Sequence, residues 1–287
     1  MFITSIRIRK KNIFIVLVLL ILICSFFLSY RFSSYANLYL GNQIGKHENS
    51  IKVPIIMYHS VLKDTSKSGK YIITPSTLES DLQYIKNAGY ETITINDLIS
   101  YVYNGTSLPE KCIILTFDDG HYNNFTYVLP LLEKYNSKAV ISIVGKYTDT
   151  YTESDESNTN YSYLRWKDIK FLIQTGKIEF QNHTYNMHNS NSRKGCMKKT
   201  CESIEHYESV LKEDIMKLQQ EFLFNTGYLP TTFTYPFGGI SNASYDIIKN
   251  LGFKASLSCN SGINYITNSP DCLYGLKRNN RPNRYFF

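Results

Sequence analysis

The sequence predicts an α/β fold with a parallel sheet, preceded by one N-terminal membrane-spanning helix. From residue 51 to the end of the 287-residue chain, short β-branched or aromatic runs alternate with helical patterns. Such alternation over a domain of this size is typical of a (β/α) barrel or a doubly wound sheet. Polar residues follow several apolar runs directly, which is the pattern expected where strands end at an active-site rim.

The predicted strands are short runs enriched in β-branched and aromatic residues. The most pronounced run, Lys111–Phe117, stops abruptly at two carboxylates and a glycine. A buried strand behaves in this way where it leaves the core. In chain order, strands are predicted over residues 53–58, 92–95, 111–117, 139–144, 178–181, 233–235, 255–258 and 273–277.

The predicted helices show apolar residues at helical spacing between start and stop signals. Thr74-Pro75 opens the first helix, and Gly89 ends it. Gly176 and Gly227 close two later helices. In chain order, the helices cover residues 74–89, 96–103, 124–135, 165–175, 202–225 and 242–251. Residues 149–163 and 189–200 are polar and predict long loops, which either flank a binding site or decorate the surface.

The N-terminus carries the pattern of a membrane anchor. Basic residues from Arg7 to Lys11 precede an apolar run from Ile13 to Tyr30. Eighteen helical residues span about 27 Å, close to the hydrocarbon thickness of a bilayer. The flanking charges predict a cytoplasmic tail (1–12), a transmembrane signal-anchor (13–30), a linker (31–50) and an outward-facing domain (51–287). A cleaved signal peptide is the alternative.

Charge and cysteine usage limit the partners and the cellular compartment. The net charge is +7, but five basic residues up to Arg31 account for most of it, so 7 minus 5 leaves +2 for the remainder. The excess of positive charge therefore indicates the orientation of the N-terminal segment in a membrane and is not a binding patch. No nucleic-acid partner is predicted. In an outward-facing domain, Cys196 with Cys201 or Cys259 with Cys272 would be the short-range disulfides.

Two adjacent carboxylates, Asp118 and Asp119, follow the central strand within the motif Thr116-Phe117-Asp118-Asp119-Gly120. Successive side chains on a strand point to opposite faces, so the two carboxylates are predicted to have different tasks. One can bind a metal ion while its neighbour accepts a proton. The alternative is a simple turn, because Asp and Gly are common turn formers.

Two histidines, His183 and His188, follow the predicted strand 178–181. Their spacing corresponds to about 140° on an ideal helix, so they do not form a helical metal-binding face. A loop can nevertheless bring both imidazoles to one ion. With Asp119 they make a three-ligand set that leaves a divalent ion one open position for water. The alternative is a surface or hydrogen-bonded pair of histidines.

Three segments together resemble the polysaccharide deacetylase family, the NodB-like carbohydrate esterases. They are TFDDG at 116–120, NHTYNMH at 182–188 and YPFG at 235–238, supported by Arg165-Trp166 in the intervening helix. The resemblance extends over residues 53–278. It implies a distorted (β/α) barrel, the removal of N- or O-acetyl groups from sugar polymers, and a divalent metal ion, most often zinc.

Carried over by motif, the resemblance implies a role for each residue of the site. Asp118 would be the general base. The metal ion would be bound by Asp119, His183 and His188. The acetyl pocket and the oxyanion site would be formed by Tyr235, Pro236 and Phe237, although Pro-Phe-Gly is also an ordinary turn.

The chain departs from the commonest family pattern in three places. The two histidines have one extra residue between them, Thr234 replaces an arginine, and Leu276-Lys277-Arg278 replaces a late Leu-x-His motif. A subgroup that acts on poly-N-acetylglucosamine is more similar, since it has the longer spacing and a histidine on the first strand, here His59. We hypothesise that His59 serves as general acid and that Arg278 supports Asp118. The alternative for His59 is a hydrogen-bonded strand-end histidine.

The sequence therefore predicts a metal-dependent N-deacetylase of an N-acetylglucosamine-containing polymer, with its catalytic domain outside a bacterial cell membrane. Peptidoglycan, exported poly-N-acetylglucosamine and chitin-like chains are all open as substrates. One alternative is a degenerate barrel that binds glycans without turnover, which the altered late motif favours. A retaining glycosidase needs two carboxylates about 5 Å apart across the scissile bond, and adjacent residues on one strand do not provide them. Trp166 is either a sugar-stacking platform or a core residue.

Overall fold

The structure, a computed structural model, describes residues 24–33, 50–190 and 193–283. Residues 24–33 form helix α1, which belongs to a separate unit from Ile51–Phe287. Within these described ranges, no helix combines the length and the apolar character needed to cross a membrane. Most of the predicted span 13–30 lies outside the described residues, as do the predicted tail 1–12 and most of the linker 31–50.

From Ile51 onward, strands alternate with helices, as the sequence pattern predicts. Thr74 caps the first helix of this unit, because its Oγ1 accepts the N–H of Thr77 at 3.1 Å. The strands are β1 (Ile51–Val53), β2 (Ile55–Tyr58), β3 (Ser60–Val61), β4 (Ile72–Ile73), β5 (Glu91–Ile93), β6 (Cys112–Asp119), β7 (Ala139–Ile143), β8 (Ile178–Asn182), β9 (Thr232–Thr234), β10 (Ala255–Leu257), β11 (Asn264–Ile266) and β12 (Asn279–Asn280). The helices are α2 (Pro75–Asn87), α3 (Ile95–Asn104), α4 (Leu129–Lys134), α5 (Gly145–Ser154), α6 (Trp166–Gln174), α7 (Ile204–Thr226) and α8 (Asn242–Asn250).

The central sheet is parallel and curls into a distorted barrel. Its strand order is β10-β9-β8-β7-β6-β2-β12, with β5 paired to the first half of β6. A parallel bridge joins Leu257 of β10 to Leu276, which shortly precedes β12, so the two ends of the strand order approach each other. Because the strands are parallel, their carboxyl ends meet at one edge, where such folds carry their sites.

Side chains of β6 point alternately to the two faces of the sheet, so this strand contributes to two separate parts of the core. Ile113, Leu115 and Phe117 belong to one buried cluster. Cys112 and Ile114 belong to the other. The strand is buried from Cys112 to Asp118, which explains its continuous apolar run.

Three element predictions need correction. The predicted loop 149–163 begins inside helix α5, whose polar sequence hides its helical period. The predicted strand 273–277 is absent, because Pro270–Leu273 forms a 3₁₀ turn and Gly275 has a φ of 73°. The predicted strand 53–58 is divided between β1 and β2 at Pro54, which has no N–H for a sheet ladder.

Neither of the disulfides considered from the sequence is formed. All six cysteines are free thiols: Cys24, Cys112, Cys196, Cys201, Cys259 and Cys272.

Trp166 is a core residue and not a sugar-stacking platform, which agrees with the second of the two interpretations given above. It is 5% exposed and its ring packs edge-on against Phe222 with ring centroids 5.3 Å apart.

Candidate metal centre and active site

The carboxyl end of β6 sends its two acidic side chains to different partners. Asp118 faces the guanidinium of Arg278. Asp119 faces the histidine loop, which we define as residues 183–188. Asp119 has a φ of 73° and Gly120 a φ of 77°, so the backbone turns into a left-handed conformation directly after Asp118. The Asp-Asp-Gly segment is therefore a turn that also separates two functional groups.

Asp118 and Arg278 form a fully buried ion pair. Nη1 of Arg278 donates to Oδ1 of Asp118 at 2.7 Å, and Nη2 donates to Oδ2 at 2.8 Å. Nε of Arg278 donates to the carbonyl of Ser258 at 2.8 Å, which orients the guanidinium plane. Burial raises the pKa of Asp118, but the charge and hydrogen bonds of Arg278 lead the opposing effects, which hold that pKa below its ordinary value. Asp118 is therefore ionised at neutral pH.

Asp119, His183 and His188 bring three ligand atoms to within 4.8 Å of one another. Oδ1 of Asp119 lies 3.1 Å from Nε2 of His188 and 3.6 Å from Nε2 of His183. This oxygen is buried and accepts no well-aligned hydrogen bond from the described residues. A buried, unsatisfied carboxylate oxygen between two imidazole nitrogens fits a divalent cation. The set of two nitrogens and one oxygen is typical of catalytic zinc sites with an open position.

A hydrogen bond orients His183 for metal binding. Its Nδ1 donates to the carbonyl of Thr234, at the end of β9, over 2.8 Å. The proton is thereby assigned to Nδ1, and Nε2 keeps a free lone pair on the side of Asp119. Histidine ligands in metal sites are commonly oriented through their second nitrogen in this way.

The electrostatics of the three ligands favour a cation. Burial raises the pKa of Asp119, but its interactions with the nearby imidazoles of His121, His183 and His188 outweigh burial and hold that pKa well below its ordinary value. Burial lowers the pKa of His188, but the nearby carboxylate of Asp119 outweighs burial and raises that pKa above its ordinary value. The group thus attracts positive charge, and a divalent ion can contact all three ligands at once.

His59 follows β2 and lines the same cleft as the two carboxylates. Its ring centroid lies 4.8 Å from that of Tyr71. Burial lowers the pKa of the His59 imidazole, and the opposing charge of Asp118 does not reverse that shift. Nδ1 of His59 is buried without a hydrogen-bond partner among the described residues. For the alternative of a hydrogen-bonded strand-end histidine, the described residues therefore provide no hydrogen bond at Nδ1.

A cleft of about 970 Å³ opens over these residues. Its walls combine imidazoles and carboxylates with aromatic rings and three lysines. An open cleft that combines many polar groups with several aromatic surfaces suits a bound ligand that extends beyond the reacting group. Besides the residues already named, the lining includes Tyr161, Tyr163, Lys67, Lys70 and Lys194.

The motif YPFG at 235–238 contributes one side chain, Phe237, to the lining of the cleft. Phe237 is 42% exposed, has a φ of 55°, and its ring centroid lies 4.5 Å from that of His188. Such a conformation in a non-glycine residue is often found at functional sites. Tyr235 is fully buried, and its hydroxyl accepts a hydrogen bond from Ser244 at 3.0 Å. The side chains of Tyr235 and Pro236 therefore support the turn from the core and do not line the cleft.

Sequence reasoning did not select His121, which the structure adds to the site. Its Nε2 lies 3.5 Å from Oδ2 of Asp119. Its ring stacks on Tyr163 with a centroid distance of 4.8 Å. The signal that could have found it is its position directly after Gly120, because a residue that follows a strand-end turn stays near the strand end.

Comparison with known proteins supports the same interpretation of the fold. A family profile described as polysaccharide deacetylase matches residues 105–256, just over half of the chain. The poly-beta-1,6-N-acetyl-D-glucosamine N-deacetylase of Escherichia coli (strain K12) is 22% identical over 227 residues, covering 72% of this chain and 34% of that protein. The enzyme of the same name from Staphylococcus aureus (strain MRSA252) is 25% identical over 190 residues, covering 66% of this chain and 61% of that protein.

A solved structure shows that the fold is shared. The de-N-acetylase of Aggregatibacter actinomycetemcomitans superposes with a TM-score of 0.69 at 23% identity, covering 82% of this chain and 97% of that one. The present chain spans only about a third to three fifths of the length of the two named relatives. With the profile match over more than half of its length, the chain belongs to the polysaccharide deacetylase family.

Proposed function

We propose that this chain is a metal-dependent hydrolase that removes N-acetyl groups from an N-acetylglucosamine-containing polysaccharide. The observation that carries the proposal is one strand end with two separate functions. There Asp118 is a buried, ionised carboxylate, and Asp119 belongs to a three-ligand set with His183 and His188. A proton acceptor beside a divalent cation site is what metal-assisted amide hydrolysis requires. The names of the E. coli and S. aureus relatives support N-acetylglucosamine as the sugar.

In the proposed mechanism, Asp119, His183 and His188 hold the metal ion, for which zinc is our candidate. When bound, such an ion polarises an acetyl carbonyl and lowers the pKa of water. Asp118 accepts the proton of the attacking water, and the support for this role is its ionised state and its position in the cleft wall. His59 donates a proton to the departing amine, and its support is an unpaired Nδ1 in the same cleft.

The Tyr235-Pro236-Phe237 turn is proposed to bind the acetyl group. Phe237 supplies the apolar surface, since its exposed ring lies against His188 and both residues line the cleft. Its backbone N–H is our candidate donor to the oxyanion. Tyr235 and Pro236 support that turn from beneath.

We further propose that the catalytic domain, residues 51–287, acts outside the bacterial cell membrane and is held there by the apolar segment 13–30. The support is the basic residues Arg7 to Lys11 followed by an unbroken apolar run. Cell fractionation and protease treatment of intact cells test this arrangement. A full-length protein in the soluble cytoplasmic fraction would contradict it.

An acetate-release assay tests the activity. The purified protein is stripped of metal, reloaded with zinc, and incubated with β-1,6-linked N-acetylglucosamine oligomers, chitin oligomers or peptidoglycan. We expect acetate release only after reloading, and none from the Asp118→Asn variant, which should still bind zinc. If the zinc-loaded protein binds a glycan but releases no acetate from any of the three polymers, the alternative of a glycan-binding barrel without turnover is supported instead.

The metal site is tested separately from turnover. His183→Ala and Asp119→Asn each remove one of three ligands, so both variants should lose stoichiometric zinc after gel filtration. His206→Ala is a matched control, because His206 lies on the exposed surface of α7 and pairs with Glu202. Metal analysis by mass spectrometry gives the answer, and retained stoichiometric zinc in both ligand variants would overturn the assignment.

A further inference from the structure

The histidine loop must satisfy its own backbone polar groups, because the five-residue step between His183 and His188 fits neither a helix nor a strand. An unpaired N–H group costs free energy where it is shielded from water, and this loop is buried at both sides of an exposed tip. The loop begins with Thr184 at a φ of 74°, and Oδ1 of Asn182 accepts its N–H at 2.9 Å. Oγ1 of Thr184 accepts the N–H of Met187 at 3.2 Å. The N–H groups of two residues at the tip of the loop still need partners.

Asp214, on the long helix α7, supplies both partners. Its Oδ1 accepts the N–H of Tyr185, and its Oδ2 accepts the N–H of Asn186, each at 2.8 Å. Hydrogen bonds to an ionised acceptor are shorter and stronger than neutral ones. One carboxylate thus fixes two successive peptide units midway between the two histidine ligands.

The position of Asp214 on its helix is unusual for an acidic residue. Leu211, Ile215 and Leu218 are fully buried, and at helical spacing Asp214 lies at the edge of the same core-facing stripe, where it is partly buried. An acidic side chain in such a stripe loses hydration, so it is favoured there only where it gains hydrogen bonds in return. The two loop N–H groups provide that gain.

The opposite side of the loop is held by the N-terminus of α5. The N–H of Gly145 donates to the carbonyl of Thr184 at 3.1 Å, and the N–H of Lys146 donates to the carbonyl of Tyr185 at 2.8 Å. A Cβ on Gly145 would lie 2.7 Å from Cδ2 in the side chain of Tyr185 and 3.4 Å from its Cα, so the loop packs closely against this position. The loop is therefore clamped between α5 and the carboxylate of Asp214.

We propose that Asp214 is a positioning residue of the metal centre. By binding the N–H groups of Tyr185 and Asn186, its carboxylate sets the separation and direction of the His183 and His188 imidazoles before a metal ion arrives. This role rests on the proposed function, since it concerns the same metal site.

The test compares metal affinity in full-length variants. Asp214→Asn keeps the size of the side chain, but it retains one acceptor oxygen and turns an NH₂ group toward the second loop N–H. Asp214→Ala removes both acceptors. Glu213→Gln is the matched control, since Glu213 is the neighbouring, exposed acid on the same helix. Zinc dissociation constants are measured by competition with a chromophoric chelator, and the visible spectrum of the cobalt-substituted protein reports ligand geometry.

We expect Asp214→Asn to weaken zinc binding by about 10- to 100-fold, as losses of supporting hydrogen bonds around metal ligands commonly do. Its cobalt spectrum should change as well, while Glu213→Gln stays within about twofold of the wild type. Circular dichroism identifies variants that are folded at the measuring temperature. If Asp214→Ala does not fold, Asp214→Asn decides the question.

A role in general stability alone predicts a different result. The melting temperature of Asp214→Asn would then fall while its zinc affinity and cobalt spectrum stayed at wild-type values, and this outcome would overturn the proposal. Wild-type protein that binds no zinc would overturn both the proposal and the proposed function. Wild-type protein that binds zinc but releases no acetate would refute the proposed function only, because the affinity comparison does not depend on turnover.

Discussion

Replacing Arg278 with methionine tests the buried ion pair at the centre of the site. Methionine has a similar length and no charge, so Arg278→Met removes the donors to both oxygens of Asp118, at 2.7 and 2.8 Å, and the donor to Ser258. Asp118 is then a carboxylate that is only 2% exposed and has lost its cation. The free energy of unfolding should therefore fall, and the pKa of Asp118, the proposed base, should rise.

The magnitude follows from the burial of both partners. Removing one partner of a buried ion pair costs about 3 to 5 kcal/mol of unfolding free energy, because the other charge keeps its desolvation penalty. A domain of this size loses roughly 2 to 4 °C in Tm per kcal/mol. The Tm of Arg278→Met should therefore fall by about 6 to 20 °C at pH 7.

The pH dependence has a defined sign. Arg278 helps to hold the folded-state pKa of Asp118 below its unfolded value. The stability that this contributes is present above the unfolded pKa and is lost as the pH falls through the folded pKa. The deficit of Arg278→Met should therefore be largest near neutral pH and should shrink in acid.

Thermal unfolding followed by circular dichroism measures the effect in a double-mutant cycle with Asp118→Asn. The double variant carries no unpaired buried charge, so it should be more stable than Arg278→Met. Lys249→Met is the control, since it removes an exposed ion pair with Asp271 and should change the Tm by only a few degrees. An Arg278→Met protein that melts within 2 °C of the wild type, taken as roughly the size of a 1 kcal/mol effect, would refute the reasoning. If the losses in unfolding free energy of Arg278→Met and Asp118→Asn simply add up in the double variant, the reasoning would be refuted as well.

Three further predictions concern single side chains. Gly145→Ala should weaken zinc binding in chelator competition, because the added Cβ pushes Tyr185 in the histidine loop; unchanged affinity would show that the clamp tolerates displacement. The hydrogen bond from Arg193 lowers the pKa of Glu202 to about 2 from 4.5. Denaturant unfolding of Glu202→Gln should show a loss of about 1 kcal/mol at pH 7 that disappears between pH 4.5 and 2. His59→Gln should lower kcat for acetate release by about 100-fold or more with zinc binding retained, and near wild-type turnover would remove His59 from the mechanism.

Much of the fold follows from local patterns in the sequence. The buried run of β6 and its abrupt end at Asp118 can be recognised from residue types alone, since a fully buried parallel strand needs apolar side chains on both faces. Most helices were predicted within a few residues, because their apolar spacing and their capping residues are local features. Helix α5 was missed because its sequence is polar and its first N–H groups are bound by the histidine loop, a contact across about 40 residues.

The sequence by itself predicted different tasks for Asp118 and Asp119, because side chains alternate along a strand, and the structure adds the left-handed turn at Asp119 that separates them. The sequence also provided the three ligand types, and the family resemblance added their roles. Only the tertiary structure decided which distant groups complete the site. Arg278 reaches Asp118 across 160 residues of chain, and Asp214 reaches the histidine loop from the middle of a helix. Such pairs depend on how strands and helices pack in space, and no local period in the chain records that packing.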